Sequence, residues 1–264
     1  MHPLQTGSNS KTMPTGFIPP AVMSESTFRE LREVIYKQSG IYFTDSKKYL
    51  LEGRIAKRLG MLGMKNFEQY IDLLKHPFHA KNESKELYNA ITINETYFFR
   101  SEAQFEALIE VLLPEIMKGK SGVSKTVKIW SAASSSGEEA YTISMLLLEK
   151  VKPLYPNVQF EIWGSDISDH VLESARRAVY REYAVKNMPQ HYLTKYFKKQ
   201  GDLYELNEEV KRMVKFVNLN LYDNTALRSM RNFDVVFCCN VLIYFDLPSK
   251  QQVVGQLYDA LNKN

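Results

Sequence analysis

The apolar positions of this chain fall into two regimes. From Glu25 to about Leu74 they recur at helical spacing: Phe28, Leu31, Val34 and Ile35 mark one stripe, which Gly40 stops. A second helix begins near Asp45 and carries Leu50, Leu51, Ile55 and Leu59 on one side. Phe67, Tyr70, Ile71 and Leu74 mark a third helix, and 83–94 a fourth, with 75–82 as a loop between them. Beyond about residue 126, short β-branched and aromatic runs alternate with amphipathic segments. The pattern predicts strands at 127–131, 159–165, 214–217 and 234–239, and helices at 138–151, 169–178 and 248–262. Alternation of this kind predicts an α/β fold with a mostly parallel, doubly wound sheet. Residues 189–214 leave the alternation and read as a small antiparallel β-subdomain. The expected division is a disordered Ser/Thr/Pro/Gly-rich tail at 1–23, a helical domain at 24–93, a linker and first helix at 94–126, and the sheet domain at 127–264.

The sheet domain is organised around VKIWSAASSSGEEAY, residues 127–141. A buried strand runs into a loop of small residues, where a ligand can approach backbone amides, and then into a helix. Ser136 followed by Glu139 has the spacing of a capping box at that helix start. Strand, tight loop and helix N-terminus form the usual ligand crevice of an open α/β sheet.

The second strand ends in IWGSDIS, which places Asp166 at the sheet edge beside the first loop. An acid there commonly accepts hydrogen bonds from ribose hydroxyls; capping of the next helix by Asp166 or Ser168 is the other reading, and the two can coexist. The first loop has one glycine where the dinucleotide fingerprint needs three, and no phosphate-binding G-x-x-x-x-G-K-[ST] motif occurs. A dehydrogenase and a P-loop nucleotidase are thereby disfavoured. An adenosine ligand without phosphates fits better, with S-adenosylmethionine the obvious candidate. Its ammonium needs a carboxylate and its carboxylate needs a cation. Glu138 in the loop and Arg100 in the linker supply these charges, with Glu139 left to the helix cap.

Composition adds limits. The chain has 264 residues, 44% hydrophobic, and a net charge of +4 that gives only weak support for nucleic acid. No apolar run reaches the length of a membrane span, and no signal-peptide core is present, which points to the cytoplasm. Cys238 and Cys239, adjacent in an apolar strand, read as reduced core residues and not as a metal site. Arg54, Lys57 and Arg58 share one face of the second helix. That face is either simply solvated or a docking surface for an acidic partner.

The segments NETYFFR, IWSAASSSGEEAYTISMLL, WGSDIS, VNLNL and FDVVFCCNVLIYFD, in this order and spacing, resemble the CheR-type chemotaxis receptor methyltransferases. The resemblance covers nearly the whole chain from Glu25. It implies an S-adenosylmethionine-dependent protein-glutamate O-methyltransferase, with S-adenosylhomocysteine as product. The implied substrate is the cytoplasmic helical bundle of a chemotaxis receptor. Carried over by motif, Asn94, Thr96 and Arg100 contact the cofactor from the linker, Glu138 and Asp166 hold its amino acid end and ribose, and Asn220, Leu221, Asn240 and Val241 line the adenosine pocket. Because a glutamate is already ionised at neutral pH, no general base is expected. The resemblance also favours the docking reading for Arg54, Lys57 and Arg58, since receptor methylation sites lie on acidic helices. Relatives that grip a peptide at the receptor's C-terminus carry a longer, glycine-bearing loop than QGDLYEL, so no dependence on such a tether is expected. Two departures stand out: Ser134 replaces a cysteine common in relatives, and a final strand pair is expected after helix 248–262, where the chain stops at Asn264. A nucleic-acid methyltransferase is the first rival, although NVLIYF does not match the N/D-P-P-Y pattern of enzymes acting on bases. A cofactor-binding adaptor without turnover is the second.

Overall fold

The computed structural model describes residues 22–120 and 125–263, so the tail expected at 1–23 lies, but for its last two residues, outside the described residues. The helical domain opens with α1 (Glu25–Ser39), whose N-terminus is capped by Ser24 accepting from the Thr27 N–H at 3.1 Å. Gly40 ends it in the left-handed region at φ 69°, donating to the Tyr36 carbonyl at 2.8 Å. A Cβ at Gly40 would also stand 2.5 Å from the Tyr222 ring, so both backbone and space require glycine here. A 3₁₀ turn (Asp45–Lys47) leads into α2 (Lys48–Leu62), followed by α3 (Phe67–Lys75) and α4 (Ala80–Ile91). The fourth helix thus starts and stops earlier than the expected 83–94. Its end is set by Thr92, whose N–H and hydroxyl both donate to the Tyr88 carbonyl while its own backbone turns extended. Phe28, Leu31, Ile35, Leu51, Ile55 and Tyr70 form the fully buried centre of this domain.

After the linker, α5 (Glu102–Ala107) and α6 (Leu113–Gly119) are joined by a π turn (Leu108–Leu112). The sheet domain then runs β1 (Lys125–Ala132), α7 (Glu138–Leu146) with its π extension Leu147–Val151, β2 (Val158–Asp166) and α8 (Asp169–Arg177). Next come β3 (Val179–Arg181), α9 (Glu182–Val185), α10 (Gln190–Tyr196), β4 (Phe197–Gln200), β5 (Leu203–Leu206) and α11 (Glu208–Lys211). The chain returns to the main sheet with β6 (Val214–Asn218) and β7 (Val235–Phe237) and ends on α12 (Leu247–Ala260).

The main sheet is fully parallel in the order β6-β2-β1-β7, with Ile129 facing Ile162 on one side and Val235 on the other. Alternate residues of β1 serve opposite faces. Val127 and Ile129 pack with Phe105, Leu113 and Ile143, whereas Trp130 and Ala132 pack with Val253 and Leu257 of α12. Both faces are therefore covered, as a doubly wound sheet requires. The small β-subdomain is larger than the expected 189–214. Its antiparallel order is β3-β5-β4, because the left-handed Ala178 (φ 51°) turns the chain after α8 into β3, which pairs with β5. The last parallel strand is shorter than expected: Cys238 and Cys239 lie beyond β7 and are half-buried free thiols, not interior strand residues.

The helical domain is latched to the sheet domain at several points. The Asn220 amide donates to the Gln38 carbonyl at 2.7 Å, Tyr42 N–H donates to the Tyr244 carbonyl at 2.9 Å, and the Tyr36 hydroxyl reaches the Asp246 carboxylate at 3.1 Å. On the other side of the joint, the Ser168 hydroxyl bonds the Asn89 amide oxygen at 2.7 Å and Lys85 pairs with Asp169 at 3.0 Å.

Candidate cofactor site

A cavity of about 280 Å³ opens at the C-terminal ends of the parallel strands, between the sheet domain and the helical domain. Its floor begins at the loop after β1. Ser134 N–H donates to the Ser165 carbonyl at 2.8 Å, which folds the loop across the end of β2. Ala133 (φ 59°) and Ser135 (φ 51°) adopt left-handed conformations, as does Asn240 (φ 58°) after β7, and all three line the cavity. Non-glycine residues rarely adopt this backbone, and such strain gathers where a ligand site needs it. Gly164, in β2 beneath the loop, has no space for a side chain: a Cβ would stand 2.4 Å from the Phe216 ring and 2.8 Å from the Ser134 hydroxyl.

Asp166 sits at the end of β2, 6% exposed, and lines the cavity. Its two carboxylate oxygens accept from the Ser135 and Ser168 N–H groups, each at 3.0 Å. Burial raises its pKa even though these amides work the other way. Each oxygen retains a lone pair that can accept from a ligand hydroxyl. The helix after it is capped by Ser168, whose hydroxyl accepts from Val171 N–H at 3.5 Å. The cap of α8 is thus Ser168, and Asp166 is left facing the cavity.

The capping box at the next helix is not formed. Gly137, at φ 93°, is the N-cap of α7, and the Ser136 hydroxyl turns to the Glu138 carboxylate at 2.8 Å. Glu138 is 3% exposed and does not line the cavity, contrary to its expected contact with the ligand. Glu139, expected at the cap, faces the cavity instead and accepts from the Ser131 hydroxyl at 2.7 Å. Neighbouring residues of a helix point about 100° apart, so only one of the two acids can face the cavity, and it is Glu139. Burial raises both pKa values, Glu138 to about 7. Arg100 opposes the rise at Glu139.

The linker supplies Asn94, Thr96 and Arg100 to the cavity wall, and Asn94 is tied to the first loop by the Ser135 hydroxyl donating to its carbonyl at 3.1 Å. Arg100 follows the left-handed Phe99 (φ 59°); its guanidinium donates to the Glu95 carbonyl and lies 5.6 Å from the Tyr97 ring centre. Asn220, Leu221, Asn240 and Val241 also line the cavity. Asn220 carries structure as well, bridging Gln38 and the Tyr222 N–H.

The roof escaped sequence reading. Tyr42, Phe43, Lys47, Leu50 and Arg54 of the helical domain close over the cavity, and Cys239 and Tyr244 complete its far wall. Periodicity assigns α2 an apolar side but does not indicate which residues meet a second domain. The expected face of Arg54, Lys57 and Arg58 is divided. Arg54 turns into the cavity and donates to the Ile91 carbonyl. Arg58 forks onto Glu83 at 2.7 and 2.8 Å, where the Tyr70 hydroxyl also donates. Of the three, Lys57 alone is exposed.

The donor set fits an adenosine joined to a zwitterion. A twice-anchored carboxylate stands ready for ribose, a second carboxylate and a guanidinium face the same space, and the buried, cavity-lining Ser134 hydroxyl has no hydrogen-bond partner within the described residues. Two carboxylates whose charged forms are disfavoured by burial also suit a cationic ligand.

Comparison with known proteins agrees. Residues 94–264 match the SAM-binding domain of the CheR methyltransferases, and residues 26–92 match the all-alpha domain of the same family. The chain is 36% identical over 243 residues to chemotaxis protein methyltransferase 2 of Vibrio cholerae, covering 91% of this chain and 83% of that protein. It is 35% identical over 244 residues to the chemotaxis protein methyltransferase of Borreliella burgdorferi (92% and 86% covered) and 33% identical over 243 residues to that of Escherichia coli (90% and 81%). The cofactor is S-adenosylmethionine, and the chain belongs to the CheR methyltransferase family.

Proposed function

We propose that this methyltransferase acts in chemotaxis, in the cytoplasm, esterifying glutamate side chains on the helical bundle of chemotaxis receptors. The observation that carries the reading is the placement of the cavity. It lies between the cofactor loops of the sheet domain and a helical roof that brings Lys47 and Arg54 to the same space. A roof that carries two cations beside apolar surface suits an acidic side chain presented on a helix. Tyr42 and Ile243 line the cavity and are exposed, and they supply the apolar part.

When bound, S-adenosylmethionine supplies a methyl group activated by a sulfonium. Asp166 holds the ribose, Glu139 the ammonium and Arg100 the carboxylate, while Asn94, Thr96, Asn220, Leu221, Asn240 and Val241 enclose the remainder. Glu139 replaces Glu138 in this assignment because only Glu139 faces the cavity. No side chain is needed as base, since the target carboxylate is ionised at neutral pH. The chain's own contribution is alignment and exclusion of water, which strengthens a weakly nucleophilic carboxylate. Lys47 and Arg54 take the docking role first given to Arg54, Lys57 and Arg58, with Lys57 as an outer contact. The short β4–β5 turn supports activity without a receptor tethering peptide. Among the described residues no helix is long and apolar enough to cross a membrane, and no cluster of metal-ligating side chains occurs.

The test is methyl transfer from labelled S-adenosylmethionine to a receptor cytoplasmic fragment with its glutamates intact or changed to alanine. Label released as methanol by mild alkali, and lost with the glutamates, is expected. Alkali-stable label, or equal label on nucleic acid, would overturn the proposal.

A further inference from the structure

The linker residue Arg100 is held within the linker itself, by Glu95 and Tyr97. An exposed cluster ties that part of the linker to α9 beside the β-subdomain. Glu95, five residues earlier, accepts the Arg100 guanidinium on its backbone carbonyl. The Glu95 carboxylate in turn accepts from the Tyr183 hydroxyl at 2.6 Å. Tyr183 lies in α9, which continues directly from β3 of the β-subdomain. The Lys186 ammonium sits 3.8 Å from the Tyr183 ring centre and 4.3 Å from that of Tyr97, the ring that also faces Arg100. The backbone closes the same joint, Phe98 N–H donating to the Ala184 carbonyl at 2.9 Å. Glu95 and Arg100 both line the cavity. The Tyr183 hydrogen bond, followed by the charges of Arg100 and Lys186, holds the Glu95 carboxyl below the usual carboxylate range.

We propose that Glu95, Tyr183 and Lys186 are positioning residues that fix Arg100 where it meets the carboxylate of the cofactor's amino acid end. The β-subdomain then has a part in cofactor selection. Arginine has a long side chain with several freely rotating bonds, and its ordering costs affinity unless it is held before the ligand arrives. The Tyr97 face and the Glu95 carbonyl define its direction, and Lys186 wedged between Tyr97 and Tyr183 keeps both rings in place by cation–π attraction. At this exposed position each contact is individually weak, so their combined use is positional, not stabilising. The inference rests on the assignment of Arg100 to the cofactor carboxylate.

The experiment compares two ligands by titration calorimetry on the full chain: S-adenosylmethionine and its decarboxylated analogue, which keeps sulfonium and ammonium. Tyr183→Phe removes only the hydroxyl that holds Glu95, and Lys186→Met removes the charge between the rings. Each is expected to weaken S-adenosylmethionine roughly fivefold while leaving the decarboxylated analogue unchanged. Lys186→Arg, which keeps the cation–π contact, should restore most of the loss. Equal weakening of both ligands, or no weakening of either, would overturn the inference. Arg100→Lys separates the two levels. If it lowers the preference for the carboxylated ligand while Tyr183→Phe does not, only the clamp fails. If neither variant changes the preference, the assignment of Arg100 fails too.

Discussion

A difference of one residue decides which acid faces the cavity. In the sequence Glu138 and Glu139 are interchangeable, and the capping-box spacing from Ser136 favoured Glu139 for the cap. Gly137 takes the N-cap in a left-handed conformation, and the two carboxylates exchange roles. Glu138 is then a buried acid with one hydroxyl partner, and burial lifts its pKa from 4.5 to about 7. An acid with a raised native pKa binds its proton more tightly in the folded state, so its effect on stability grows worse as pH rises from 4.5 to about 7. Glu138→Gln should therefore stabilise the protein at pH 8 by on the order of 2 kcal/mol and by almost nothing at pH 4. Urea unfolding at the two pH values checks this; a Glu138→Gln gain independent of pH would refute the buried ionisation. Asp166, by contrast, was legible from its place after an apolar run ending in IWGSD, because strand ends of parallel sheets are where ligands bind. The left-handed Ala133 and Ser135 were not legible, since nothing in alanine or serine calls for a positive φ, whereas Asn240 is of a type that adopts it more readily.

At the scale of elements, the two periodicities in the chain gave the right architecture. The helical stretch holds four helices, the last of them ending three residues before its expected end, and the alternation begins within two residues of β1. Errors fall at boundaries and at inserted structure. The fourth helix is closed by Thr92 bonding back to Tyr88, and β3 was hidden because three residues carry too little pattern. The basic face of α2 is the clearest case of spacing without context. Arg58 and Glu83 lie on different helices, and only the fold shows that they form a bidentate pair with side chains 19% and 7% exposed. Removing one member leaves a buried carboxylate beside the Tyr70 hydroxyl. Arg58→Ala should cost about 3 kcal/mol of stability in urea unfolding. Loss of receptor methylation with stability unchanged would return Arg58 to a docking role.

At the scale of the molecule, the site belongs to neither domain alone. The sheet domain offers strand ends and strained loops, the linker adds Asn94, Thr96 and Arg100, and the helical domain closes the cavity from above. Latches on both sides, Asn220 to Gln38 and Ser168 to Asn89, keep the roof in register with the floor. Long-range contacts of this kind leave no trace in local spacing, which is why the floor was legible and the roof was not. In this reading the cleft holds the cofactor through Asp166, Arg100 and Glu139. Titration calorimetry with S-adenosylhomocysteine tests it most directly, comparing the unaltered chain with Asp166→Ala, Glu139→Gln and Glu138→Gln. One site per chain is expected, weakened at least tenfold by Asp166→Ala and clearly by Glu139→Gln, with Glu138→Gln left near the unaltered value. Undiminished binding in Asp166→Ala, or a loss confined to Glu138→Gln, would contradict it.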